Sequence, residues 1–114
     1  MIITLPFPPA ALSGHNNGHW RDNAKLVATL RAEAFHLTRN AMKAQPCVIP
    51  ETGDILLSIR FVPPDNRGDR LNFPNRFKPL ADGIAEALGV NDKRFLPAIA
   101  YCAPGKPGHV EVTI

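Results

Sequence analysis

Twelve prolines and eight glycines punctuate this 114-residue chain, and their positions limit the fold more than any other feature. A proline cannot donate to a strand ladder and disturbs a helix interior, so each cluster ends an element. Pro6, Pro8 and Pro9 stop a short apolar strand, Ile2 to Leu5. Pro46 and Pro50 end a long helical stretch, and Pro63-Pro64 end the strand that follows. The run Pro104-Gly105-Lys106-Pro107-Gly108 is a turn between two last strands.

The segments between these breaks carry clear periodicity. From about Trp20 to Lys43, Val27, Leu30, Ala34, Leu37 and Ala41 recur at spacings of three and four, the stripe of an amphipathic helix. Lys25, His36, Arg39 and Lys43 fall on another face. Asp54 to Val62 alternates, with Ile55, Leu57, Ile59 and Phe61 on one side of a strand. A second helix carries Leu80, Ile84 and Leu88 on its buried stripe and ends at Gly89, a residue suited to the left-handed cap. Pro74 suits a first turn, and Pro79 argues that the regular helix begins there. Leu96 to Cys102 and His109 to Ile114 read as strands. The order β-α-β-α-β-β predicts a small α/β (α+β) sandwich, two helices on a mixed sheet, as a single domain over residues 1–114.

With 45% hydrophobic residues, such a chain can bury an interior, and its net charge of +3 suits a polyanionic partner. Cys47 and Cys102 stand apart in no metal-binding or redox spacing and read as reduced thiols. The start, Met1 to Pro6, lacks the basic region and apolar length of a signal peptide, and no stretch approaches the roughly 20 apolar residues of a membrane span. The expectation is a soluble cytoplasmic protein with no membrane partner.

Phosphodiester cleavage with a metal needs clustered carboxylates, because magnesium takes oxygen ligands and activates a water. Basic residues must flank them to hold DNA. Arg67-Gly68-Asp69-Arg70-Leu71-Asn72, continuing to Arg76 and Lys78, has that mixture, and Asn91-Asp92-Lys93-Arg94 has it again. By composition alone such mixtures are far more often solvated surface loops than a site.

The ordered set of segments is more specific. ITLPFPP (3–9), LSGHNNGHWR (12–21), FVPPDNRGDR (61–70), KPLADGIAEALGVND (78–92) and VEVTI (110–114) together resemble the RusA-type Holliday junction resolvases over nearly the whole chain. The resemblance implies a RusA-like fold and a homodimeric endodeoxyribonuclease. It would use Mg2+, with Mn2+ as the alternative, and cut four-way DNA junctions by paired symmetric nicks. Such resolvases carry an Asp-x-Asp-Asn element before the second helix, an aspartate after it and a nearby lysine. Asp69 matches the first aspartate, Asn72 the asparagine, Asp92 the downstream aspartate and Lys78 the lysine. The implied catalytic set is Asp69, Asp92 and Lys78, and the implied metal ligands are Asp69, Asp92 and Asn72. The second aspartate of the element falls on Leu71, which cannot bind a metal. Either Asn72 or Asp65 compensates, or the protein binds branched DNA with cleavage weakened or lost. A domain for protein interaction, unrelated to DNA, is a third reading.

Other residues carry two readings each. Arg67, Arg70, Arg76, Lys93 and Arg94 are the expected phosphate contacts, with His19 and Trp20 beside them; Trp20 alternatively packs at the helix start. Phe73 and Phe77 are either core or a wedge between bases. Asp82 reads as an exposed partner of Lys78 one turn away. Gly83 suits a close helix approach, expected at a dimer interface. A helix rising roughly 15 Å separates Asp69 from Asp92, so the simpler expectation brings them together across the dimer.

Overall fold

The computed structural model describes residues 1–12 and 20–114, with backbone alone at 20–22. The elements are β1 (Ile2–Pro6), α1 (Trp20–Ala44), β2 (Ile55–Val62), α2 (Phe73–Leu88), β3 (Phe95–Tyr101) and β4 (His109–Thr113). They build the expected α+β domain, two helices on one face of a mixed four-stranded sheet ordered β1-β4-β2-β3. β4 runs antiparallel to both β1 and β2, whereas β3 runs parallel to β2, the two being joined through α2.

The alternation read in β2 sets the sheet. Ile55, Leu57, Ile59 and Phe61 are all buried, and their partners across the ladder share the face: Ile59 opposes Val112, and Phe61 opposes Val110. Ile3 and Leu5 extend it. Phe61 sits among aromatic rings, edge-on to Phe7 and Phe77 at 6.3 and 6.1 Å and tilted to Phe73 at 5.8 Å. Phe73 and Phe77 are therefore core residues, 2% and 5% exposed, and not a wedge.

Three local expectations need correction. α2 starts at Phe73, not at Pro79, which lies inside it. The buried stripe Phe73, Phe77, Leu80, Ile84 explains this. Four large apolar groups on the sheet outweigh the roughly 3 kcal/mol that an interior proline costs. In α1 the stripe passes through Leu26, Leu30, Ala34 and Thr38, while Val27 lies outside it, exposed. Gly83 faces α1 of its own chain. A Cβ there would lie 2.3 Å from the Arg31 carbonyl oxygen, so the close helix approach is internal.

The two sheet edges differ. At β1 the Gln45 side chain closes the edge, accepting from Ile2 N–H at 2.8 Å and donating to Ile2 O at 2.9 Å. β3 has no such cover among the described residues. Its neighbour β2 takes Cys102 N–H through Phe61 O, so even-numbered residues of β3 bond inward and Pro97 turns its nitrogen to the free edge, where its missing N–H costs nothing.

Candidate functional site

α2 presents Lys78 and Asp82 one turn apart. Beyond it, Gly89 takes the left-handed cap conformation (φ 71°) and sends its N–H back to the last helical turn. Asn91 then caps a single 3-10 turn, Asp92–Arg94, by accepting from Lys93 N–H at 2.9 Å. The result is a doubling back that brings Asp92 to Lys78. Lys78 Nζ donates to Asp82 Oδ1 at 2.8 Å and to Asp92 Oδ2. This reversal occurs within one subunit, so Asp92 needs no partner chain to reach α2.

The bridge is at the surface, with the three side chains 61%, 32% and 33% exposed, and pairs of this kind add little to stability. It does polarise the groups. Asp82 first, then Asp92, hold the Lys78 ammonium above its ordinary value, and Lys78 in turn pushes the Asp92 carboxyl below its own. A depressed carboxyl stabilises the fold above the unfolded value of about 4 and loses that contribution as pH falls through its folded value. The raised lysine contributes below about 10.4 and loses it as pH rises through the folded value. The stability difference between wild type and Asp92→Asn is thus expected to hold between about pH 5 and 9 and to close in acid. Melting curves at stepped pH test this, and a difference that does not shrink as pH falls below about 4 would exclude a charged bridge.

Lys78 and Asp92 line a cleft of about 260 Å³ between α2 and the strands β2 and β3. Its walls are apolar, formed by Leu57, Ile59, Phe77, Phe95, Pro97 and Ile99 among others. Charged groups lining an open, mostly apolar cleft form a common kind of ligand site.

Asp69 lies on the loop before α2. Its Oδ1 accepts Leu71 N–H at 3.0 Å and caps the 3-10 turn Arg70–Asn72 that leads into α2. Asn72 stands at the α2 N-cap with no side-chain cap bond, half-buried. Leu71 is 81% exposed and lies outside the core. Asp65 caps its own loop by accepting Arg67 N–H at 2.9 Å. Among the described residues, no group of three or more His, Cys, Asp or Glu is placed to hold a metal. The carboxylates that converge are Asp82 and Asp92, through Lys78. The Lys78–Asp82 pair was legible from the i,i+4 spacing; the arrival of Asp92 was not.

No family model matches this chain. The chain is similar to an uncharacterized protein of Xylella fastidiosa (strain Temecula1 / ATCC 700964), 39% identical over 95 residues. That match takes in 82% of this chain and 61% of the relative, so the chain spans about three fifths of the relative's length.

The basic residues divide into three groups. Arg67, Arg70 and Lys93 are exposed on the loops flanking α2. Arg94 is a strap, its guanidinium donating to the Gly53 and Pro50 carbonyls. Arg76, two residues before Lys78 and so on a different side of α2, is buried. His19 and the Trp20 side chain lie outside the described residues. No helix among those described is long and apolar enough to cross a membrane.

Proposed function

We propose that this protein is a metal-dependent endodeoxyribonuclease of branched DNA that works in the manner of the RusA-type resolvases. The observation that carries the reading is the convergence of Asp82 and Asp92, from two separate elements, on Lys78 at an open cleft. The ordered resemblance of the segments supplies the substrate class.

The donor set fits magnesium. Two carboxylates meet at one point that already holds a positive charge, and magnesium asks for only one or two carboxylates because it keeps its waters. Asp82 and Asp92 would hold the ion, which when bound activates a water and screens charge on the phosphate. Lys78, which bridges the two carboxylates, would then be free to donate to a phosphate oxygen. Arg67, Arg70 and Lys93 flank the loops at either end of α2 and attract the DNA backbone.

A two-fold junction calls for two sites, which a C2 dimer supplies. Support for self-association comes from β3, an uncharged seven-residue edge strand with Leu96, Ile99 and Tyr101 exposed. Pro97 takes one donor from that open edge, so the exposed side chains rather than backbone pairing would carry the contact. The expected result is paired nicking of a synthetic four-way junction with magnesium, by a species that scatters light as a dimer. Equal binding of junction and linear duplex, with no nicking of either, would sink the proposal. The second reading, junction binding without cutting, is favoured by the exposed Leu71, which stands where the resemblance places an aspartate. Junction-selective binding with no nicking in magnesium or manganese would select it.

A further inference from the structure

On another side of α2 from Lys78, a largely buried cation has no counter-ion among the described residues. Arg76 is 8% exposed, and apart from it Thr38 is the other polar side chain buried to that degree among the described residues. Its guanidinium lies over the Phe73 ring at 5.1 Å, and its Nε has no hydrogen-bond partner. No carboxylate of the described residues pairs with it. Burial draws its pKa down, the direction expected for a cation removed from water with nothing to compensate.

The side chain opens into a cleft of about 650 Å³ under the start of the chain, separate from the one beside β3. Arg67 lines the same cleft. Gly68 comes close to the guanidinium: a Cβ there would lie 3.4 Å from Arg76 Nη2, and the φ of +85° favours glycine independently. The remaining wall is largely proline, Pro6, Pro8, Pro9, Pro64 and Pro107. Prolines are stiff and have no N–H, so they hold a cleft open without offering donors. Recognition of an anion would fall on the two arginines. Asp65 is the acidic group of this wall, and its Oδ1 already accepts Arg67 N–H.

We propose that this cleft is a phosphate-binding site, with Arg76 as the buried ligand and Arg67 as the second charge. A guanidinium held largely out of water with no carboxylate partner among the described residues is costly to keep, and its fork matches two oxygens of a phosphoryl group. The ligand is the phosphate of a nucleic-acid strand; that choice rests on the proposed function, whereas the anion site does not. Because Arg76 and Lys78 point to different sides of α2, the site would anchor the strand away from the carboxylate pair.

The test is a titration of the whole protein with inorganic phosphate against chloride at equal ionic strength, read by melting temperature and calorimetry. Saturable binding is expected, with stabilisation rising as phosphate exceeds its Kd. Arg76→Met keeps the apolar stem and should fold while losing the phosphate effect. Should that variant fail to fold, Arg67→Gln on the exposed loop carries the test, with about tenfold weaker phosphate binding expected. A short oligothymidylate that competes with phosphate supports a nucleic-acid strand as the source, and one that binds without competing overturns that choice of ligand. No phosphate effect beyond chloride, or the same effect in wild type and both variants, would overturn the site. The titration reads no cleavage, so a protein that takes up phosphate yet nicks no junction removes the nuclease reading and leaves this site standing.

Discussion

Gly83→Ala should lower the melting temperature by about 10–20 °C, the largest stability effect expected of a single added methyl here. The methyl would be placed 2.3 Å from the Arg31 carbonyl oxygen, 2.8 Å from Ala34 Cβ and 3.0 Å from Phe35 N. Two of those atoms are backbone of α1, so no rotamer change relieves the clash and the helices must separate. Separation unpacks Ala34 and Ile84, both fully buried, and stretches the 3.1 Å Arg31–Glu86 pair that spans the helices. Alanine gains about 1 kcal/mol of helix propensity over glycine, but overpacking costs about 1–3 kcal/mol and more when backbone must move. The net is a loss of about 2–3 kcal/mol. Thermal unfolding followed by circular dichroism measures it. An unchanged or higher melting temperature would mean that α1 and α2 are not packed this closely.

The fold was readable because β2 and the helices repeat locally. Ile55, Leu57, Ile59 and Phe61 alternate without exception, and each expected strand falls within a residue or so of its observed limits. The errors came where local rules tie and tertiary packing decides. Leu26 and Val27 stand four and three residues before Leu30, so both satisfy helical spacing, and only the positions of the sheet and α2 choose Leu26. Pro79 obeys no local rule at all, since Phe73 and Phe77 on the sheet carry the helix through it.

The candidate site divides in the same way. Lys78 and Asp82 are an i,i+4 pair that spacing alone reveals. Asp92 joins them because Gly89 reverses the chain and Asn91 tightens the next turn, a displacement in space that sequence separation does not encode. Arg76 shows the converse. In sequence it is one of several basic residues before the helix, and its burial against Phe73 follows from α2 starting six residues earlier than Pro79 suggests.

Asp92→Asn should reduce magnesium-dependent nicking about a thousandfold, since a lost ligand forfeits several kcal/mol of charge stabilisation and each 1.36 kcal/mol is tenfold. Asp92 belongs both to the set implied by resemblance and to the pair that meets at Lys78, so this variant tests the site as a whole. The two sets part at their second member. Asp82→Asn should match the loss in Asp92→Asn if the Lys78 pair binds the ion, whereas Asp69→Asn should match it if the loop supplies the ligand. Stability separates the alternatives further. Asp69 caps the turn before α2, so Asp69→Asn keeps a side-chain oxygen for Leu71 N–H and should melt near wild type. Leu71→Asp adds the carboxylate that the resemblance finds missing, at a position 81% exposed, so no charge is buried and the melting temperature should hold. With the loop part of the site, that variant should raise nicking about tenfold or more. Rates and melting temperatures measured on all four variants distinguish these outcomes. A well-folded Asp92→Asn protein that nicks as fast as wild type would show that the cleft beside β3 is not where the DNA is cut.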